Sequence, residues 1–156
     1  MPSRLGTLRG HVDRVLLDMD DAFGRRCGYV HLYGVAQFCA LIALKRGQDA
    51  ELAAMAGMLH DLHTYQHGDS ADHAQKSADL AREVLSGLGI ATEAETVQIC
   101  EAIRRHSDKR GAHAPLGEVL VDADVMQHAL VDPTQPLAAK DRERWENLAA
   151  EFALSS

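Results

Sequence analysis

The 156-residue sequence has few aromatic residues and few of the residues that build sheets. Aromatic side chains make up 4% of the chain, and there are 10 valines and 4 isoleucines against 24 alanines and 19 leucines. Alanine and leucine favour helices, whereas valine and isoleucine favour strands. The composition therefore predicts an all-α fold, a single compact bundle of about six to seven helices.

The sequence also lacks paired cysteines, a basic run and a long apolar run. Its three cysteines (Cys27, Cys39 and Cys100) are scattered, which argues against a disulfide framework or a thiolate zinc site. The formal net charge of −7 disfavours nucleic acid and anionic membranes as partners. The longest apolar run, Phe38 to Leu44, is too short to span a bilayer, and the N-terminus has no signal-peptide pattern. We expect a cytoplasmic protein with no nucleic-acid or membrane partner; the sequence leaves the oligomeric state open.

Helical periodicity and capping residues divide the chain into seven segments of one domain, residues 1–156. The predicted helices cover about 6–21, 30–46, 49–63, 71–88, 93–106, 118–130 and 137–154, the last of them amphipathic. Ser70 and Thr92 are predicted N-caps, Thr92 in a capping box with Glu95. The second helix is apolar on nearly all sides, so we expect it at the centre of the bundle.

Histidine is abundant, with nine residues in the chain, and several lie on otherwise apolar helix faces. The polar residues expected to face the core are His31, His60, Asp61, His73, His106 and Asp124. A single histidine in such a place is more often a hydrogen-bonded core residue than a ligand. A buried carboxylate, however, must be paired, protonated or metal-bound. Together the six residues predict a metal site suited to Fe, Mn, Co, Ni or Zn.

Four of these residues resemble the signature of the HD superfamily of metal-dependent phosphohydrolases. That signature is a histidine on one helix, a His-Asp pair ending a later helix and an aspartate far downstream, matched here by His31, His60-Asp61 and Asp124. The runs AAMAGMLHDLH and LVDADVMQH are similar to the family's context for the pair and the last aspartate. The second run selects Asp124 over Asp122, which is turned about 200° away on the same helix.

Two further segments resemble the HD subgroup that binds two metals, which includes bacterial dinucleoside polyphosphate hydrolases. They are DHAQKSADLAREVL and ICEAIRRHS, and they place His73 and His106 at the subgroup's extra histidines. The whole resemblance covers about residues 30–130. It implies an all-α HD domain with one or two divalent metals per chain, iron or manganese favoured and zinc, nickel, cobalt or magnesium allowed.

The resemblance also implies a division of the ligands. One ion would be held by His31, His60, Asp61 and Asp124, and a second by Asp61, His73 and His106, so that Asp61 bridges the two ions and takes a catalytic role.

Basic residues surround His106, where a phosphorylated substrate would need donors. Arg105, Lys109 and Arg110 are predicted to bind substrate phosphate, and Lys109 is the first choice and the second catalytic residue. Arg104 belongs to the same group. The alternative is a solvated helix end, because Lys and Arg favour helix C-termini. The remaining histidines that we expect on the surface or behind the ligands are His11, His67, His113 and His128.

The function implied is hydrolysis of a phosphoester or phosphoanhydride bond in a small, nucleotide-like substrate by metal-activated water. Two alternatives stay open at this point. One is a di-iron oxygenase on the same scaffold, and the other is a non-catalytic binding or interaction module that retains a structural metal.

Overall fold

The structure, a computed structural model, describes residues 2–155 and builds this part of the chain from helices alone. Eight α-helices and one short 3-10 helix lie in this range, and no strand does. The prediction of an all-α fold is confirmed. The α-helices are α1 (Arg4–Leu17), α2 (Ala22–Lys45), α3 (Ala50–Leu59), α4 (Leu62–His67), α5 (His73–Leu88), α6 (Glu93–Arg105), α7 (Pro115–Val131) and α8 (Arg142–Glu151), and the 3-10 helix is Ala139–Asp141.

Side-chain caps stabilise the starts of α3 and α6. At α6 the Thr92 hydroxyl accepts from the Glu95 N–H at 3.2 Å, and the Glu95 carboxylate accepts from the Thr92 N–H at 2.8 Å. The predicted capping box is therefore confirmed. At α3, Asp49 Oδ1 accepts from the Leu52 N–H at 2.9 Å, which satisfies one of the free donors of the first turn.

The predicted start of the second helix is wrong by eight residues. α2 begins at Ala22 and not near Val30. The Asp21 side chain caps it by accepting from the Phe23 N–H at 3.0 Å. A glycine inside a helix costs only about 1 kcal/mol relative to alanine, so the two glycines in the first turns do not stop α2 once it is capped and packed.

Other boundaries also differ from the prediction, and α1 covers Arg4–Leu17 where the sequence predicts about 6–21. Ser70 does not cap α5; the residue before α5 is Asp72, in a left-handed conformation with φ 51°, so the helix begins two residues late at His73. α7 begins three residues early at Pro115, because proline needs no N–H partner in a first helical turn. α8 begins five residues late at Arg142, after the 3-10 helix.

The predicted third helix is interrupted at the pair His60-Asp61. α3 ends at Leu59 and α4 begins at Leu62, and between them Asp61 has φ −124° and ψ 14°. Successive side chains of a continuous helix point about 100° apart and cannot share one target. The break removes this restriction, so that two adjacent residues can face the same point.

α2 is the central helix, as predicted, and packs against α3 and α7. Its residues Leu32, Val35 and Ile42 are fully buried. Within residues 2–155 it is also the one helix whose length and composition would allow it to cross a membrane, with a mean hydropathy of 1.5. Core helices share these properties, and the side of α2 that carries Leu32, Val35 and Ile42 is buried in the bundle.

The contact between α2 and α3 depends on Gly57. A Cβ at this position would lie 2.7 Å from the Ala36 Cα and 3.1 Å from the Cys39 Sγ. Since backbone atoms of α2 cannot yield without separating the helices, Gly57→Ala is expected to lower the free energy of unfolding by about 1–3 kcal/mol. The matched control is Gly87→Ala, at an exposed site of α5 with nothing within 4 Å, where alanine should be neutral or stabilising. Chemical denaturation measures both, and a Gly57→Ala protein as stable as the parent would contradict the prediction.

Candidate metal centre

All six predicted ligands meet in one cluster inside the bundle. Five parts of the chain contribute: α2 carries the first histidine, the α3–α4 break the His-Asp pair, α5 one histidine, the residue directly after α6 another, and α7 the last aspartate. Within the cluster the histidine Nε2 atoms face the carboxylate oxygens. The residues brought together are His31, His60, Asp61, His73, His106 and Asp124.

Asp61 stands between two pairs of histidines. Its Oδ2 lies 3.2 Å from the Nε2 of His31 and 3.3 Å from the Nε2 of His60. Its Oδ1 lies 3.3 Å from the Nε2 of His106 and 3.7 Å from the Nε2 of His73. Each oxygen of the Asp61 carboxylate therefore lies beside its own pair of imidazoles.

Asp124 faces the first of these pairs and Asp122 does not. Asp124 Oδ1 lies 3.5 Å from the Nε2 of His31 and 3.6 Å from that of His60. Asp122 instead accepts from Arg46 at 2.7 Å and from Arg144 at 3.0 Å. The helix register thus directs the two aspartates of α7 to different neighbours.

In three of the histidines Nε2 faces the cluster, and a hydrogen bond from Nδ1 on the other side of the ring fixes the orientation. In each case Nδ1–H donates to an oxygen, which leaves the Nε2 lone pair directed into the cluster. Metal-binding histidines are held in the same way, because the second hydrogen bond fixes the tautomer and the ring plane. The pairs are His31 with Gln127 Oε1 at 2.8 Å, His60 with Gly57 O at 2.7 Å and His106 with Ile103 O at 2.7 Å.

Two carboxylate oxygens of the cluster accept no hydrogen bond. Asp61 Oδ1 and Asp124 Oδ1 are both buried and without a donor among the described residues. A buried ionised oxygen is costly unless it is paired, and each of these two faces imidazole nitrogens of the cluster without a hydrogen bond. A cation placed among these nitrogens and oxygens would satisfy both, so the donor set fits a divalent metal.

Electrostatics keep the carboxylates of the cluster charged. Burial alone would lower the pKa of His60, but the charges of Asp61 and Asp124 outweigh it and raise that pKa to about 10. Burial would likewise raise the pKa of Asp61, yet the imidazoles of His60 and His106 hold it well below its usual range. Burial would raise the pKa of Asp124, but the nearby imidazole of His60 and ammonium of Lys109 lower it. Burial lowers the pKa of His106, so this histidine stays in the neutral form that can bind a metal.

The basic residues near His106 do not all reach the cluster. Lys109 does: its buried ammonium group donates to Asp124 Oδ2 and, at 3.0 Å, to the His106 carbonyl. Arg105 donates to the Ala112 carbonyl and lines a separate cavity of about 560 Å³ between α3, α6 and α7. Arg110 is exposed. The structure therefore places Lys109 inside the cluster as the partner of Asp124, and Arg105 and Arg110 outside it.

His128, which the sequence predicts on the surface or behind the ligands, also lies at the cluster. His128 lies on α7 one turn after Asp124, with its Nε2 3.4 Å from Asp124 Oδ1. The i to i+4 spacing, which places both residues on one helix face, is the sequence signal that could have identified it.

The C-terminal helix is tied to the loop that carries Lys109. Arg144 of α8 donates through Nε to the Lys109 carbonyl at 2.6 Å and through Nη2 to the Gly111 carbonyl at 2.9 Å. Its Nη1 is held by Glu118 and Asp122 at 2.8 and 3.0 Å. The position of the Lys109 ammonium group thus depends on α8.

One side of the cluster is open to solvent. The side chains of His73 and His128 are 34% and 35% exposed and that of Asp61 20%, whereas His60 is fully buried. Solvent and small molecules therefore have access from the side bounded by α5 and α7.

The chain is similar to known proteins over most of its length. The family model described as HD domain matches residues 28–149. Ribonuclease Y of Lawsonia intracellularis (strain PHE/MN1-00) is 31% identical over 127 residues, which are 78% of this chain and 23% of that protein. Ribonuclease Y of Pelobacter propionicus (strain DSM 2379 / NBRC 103807 / OttBd1) is 30% identical over 102 residues, 65% of this chain and 18% of that protein. The chain thus spans less than a quarter of these relatives.

A solved structure has the same fold. The crystal structure of a predicted HD superfamily hydrolase from an uncultured Thermotogales bacterium matches with a TM-score of 0.62. The alignment covers 96% of this chain and 87% of that one, at 22% sequence identity. The arrangement of helices around the cluster is therefore shared with that protein.

Proposed function

Because this chain belongs to the HD domain family, we propose that it is a metal-dependent phosphohydrolase. Its substrate would be a small, nucleotide-like molecule whose phosphoester or phosphoanhydride bond is cleaved by water. The observation that carries the proposal is the pair of buried oxygens, Asp61 Oδ1 and Asp124 Oδ1, which face imidazole nitrogens and accept no hydrogen bond. Imidazole and carboxylate donors of this kind suit divalent iron or manganese, and also zinc, nickel or cobalt.

Two ions per chain account for the cluster better than one. The first set consists of His31, His60, Asp61 Oδ2 and Asp124 Oδ1, and the second of Asp61 Oδ1, His73 and His106. A single ion in the first set would leave Asp61 Oδ1 buried without a partner. We therefore favour a binuclear centre in which Asp61 contributes one oxygen to each ion.

A bound divalent ion supplies water activated near neutral pH and polarises a phosphoryl group. The residues of the chain orient the metal ligands, exclude solvent on one side and admit the substrate on the other. Lys109 holds the second oxygen of Asp124, which fixes the orientation of that carboxylate. The apolar core beneath His60 keeps solvent out on the inner side, and the open side near His73 admits the substrate.

Ribonucleic acid is the second candidate substrate, since two relatives are ribonuclease Y. The formal net charge of −7 opposes it, because an acidic protein repels the phosphates of a long strand. The net charge therefore favours a small substrate.

The test of function is a turnover assay with the protein loaded with Mn²⁺ or Fe²⁺ under anaerobic conditions. The substrates are dinucleoside polyphosphates, nucleoside mono-, di- and triphosphates, a generic phosphodiester and a short mixed-sequence RNA. We expect metal-dependent turnover of at least one small phosphate compound, abolished by chelator. Cleavage of the RNA alone would favour the second candidate, and no turnover of any substrate by the loaded protein would contradict hydrolase function.

His106→Ala separates one metal from two. Its Nε2 belongs to the second set of donors, so its loss should lower the metal count from about two to one per chain and reduce kcat by orders of magnitude. In a mononuclear enzyme the same change would leave the metal count unaltered and mainly raise KM. Elemental analysis after saturation with iron or manganese gives the count. A value of one in the unmutated protein would refute the binuclear centre.

A further inference from the structure

His128 has the position of a metal ligand, although neither the HD signature nor its predicted place on the surface assigns it that role. Its Nε2 lies 3.4 Å from Asp124 Oδ1, as close as the Nε2 of His31 at 3.5 Å and of His60 at 3.6 Å. Its ring stacks on that of His31, with centroids 5.6 Å apart and planes inclined by 12°. Three imidazoles therefore surround one carboxylate oxygen that has no hydrogen-bond donor.

A buried carboxylate orients His128. Asp141, at the end of the 3-10 helix and 1% exposed, accepts a hydrogen bond from His128 Nδ1–H at 3.0 Å. A buried carboxylate is costly without a partner, and the imidazole of His128 is the side chain that meets it. The bond leaves the Nε2 lone pair directed toward Asp124. This is the arrangement that Gln127 and two backbone carbonyls give to His31, His60 and His106.

The spacing of the donors matches that of atoms around one ion. Ions bound at about 2.1 Å place neighbouring donors roughly 3.0–3.4 Å apart. The separation between the Nε2 atoms of His31 and His60 is 3.0 Å, and that between His128 Nε2 and Asp124 Oδ1 is 3.4 Å. Iron and manganese accept up to about six donors, so a fifth protein ligand still leaves a position free.

We propose that His128, oriented by Asp141, is an additional protein ligand of the ion held at Asp124. This inference rests on the proposed metal centre but not on the proposed reaction. It extends the centre to the 3-10 helix and gives the buried carboxylate of Asp141 a function.

Metal affinity provides the test, with Mn²⁺ as the probe and isothermal titration calorimetry as the measurement. His128→Ala should weaken binding of one ion by more than about 100-fold, and Asp141→Asn by about 10–100-fold, the usual cost of losing the group that orients a ligand. The control His67→Ala removes an exposed histidine of α4 and should bind both ions as the parent does.

His128→Phe distinguishes a ligand from a mere support for His31. Phenylalanine keeps an aromatic ring to stack on His31 but has no nitrogen to bind a metal. If His128 is a ligand, this variant loses affinity as His128→Ala does, and X-ray absorption of the bound metal detects fewer imidazoles than in the parent. Parental affinity in His128→Phe, with its fold verified by circular dichroism, would overturn the proposal. A parent protein that binds no Mn²⁺, Fe²⁺ or other divalent ion would overturn the metal centre itself, whereas the absence of phosphatase activity in a metal-loaded parent would affect the proposed function alone.

Discussion

Replacing Asp61 with alanine is expected to remove divalent metal from both halves of the cluster and to abolish turnover. Its two oxygens face different histidine pairs, so this one carboxylate belongs to both sets of donors. Without this carboxylate the second set retains only two imidazoles. We expect metal affinity to fall by more than about 100-fold, beyond the loss that follows removal of an orienting group. His60→Ala should have a similar effect on the first ion.

Elemental analysis of protein purified without chelator, followed by titration with Mn²⁺, measures the effect of Asp61→Ala. The matched control is Asp20→Ala, which removes an exposed aspartate between α1 and α2 and should leave the metal content at the parental level. A second readout is thermal stability. Added metal should raise the Tm of the control by mass action but not that of Asp61→Ala. Full metal content in Asp61→Ala would refute the ligand assignment.

The second prediction with a large effect distinguishes Asp124 from Asp122, two positions earlier on α7. Asp124→Asn should lose the first ion, since Asp124 Oδ1 faces His31 and His60. It also leaves the Lys109 ammonium buried without its carboxylate partner. Asp122→Asn should retain metal affinity within about 3-fold but lower the free energy of unfolding by about 1–3 kcal/mol, because two arginines lose a charged acceptor.

Metal affinity should fall in Asp124→Asn and stay near the parental value in Asp122→Asn, which makes the pair its own control. Metal titration reports on Asp124, and chemical denaturation in the presence of chelator reports on Asp122. Loss of metal from Asp122→Asn with retention in Asp124→Asn would contradict the assignment of α7 faces.

The local chemistry of the sequence was enough to predict most of the fold. The capping box at Thr92 and the helical spacing of apolar residues predict the helices, because both patterns depend on residues only a few positions apart. The errors arose where a distant contact or an unusual residue decided the outcome. α2 continues through two glycines because tertiary packing compensates for their low helix propensity, which no local pattern reveals.

In the candidate site, too, local patterns predict some positions and long-range contacts determine the others. Helix periodicity correctly separates Asp124 from Asp122, since the rotation per residue is a property of the helix itself. The positions of side chains at helix ends and in loops were not predictable by this means. Arg105 and Lys109 looked alike as cations beside His106, yet one lines another cavity and the other is buried against Asp124. His128 is predicted on the surface or behind the ligands, and no local pattern reveals its partner, Asp141, which comes from a separate element.

The dependence of the metal centre on the C-terminal segment has a thermodynamic consequence. α8 buries a single residue, Leu148, so this segment is the kind that opens by local unfolding at low free energy. Each opening of residues 139–151 would release Asp141 from His128 and Arg144 from the Lys109 carbonyl. Metal binding and closure of α8 are therefore linked equilibria: the factor by which opening weakens metal binding equals the factor by which bound metal suppresses opening. Protection of the α8 amide protons against exchange is thus a measure of how well the centre is assembled.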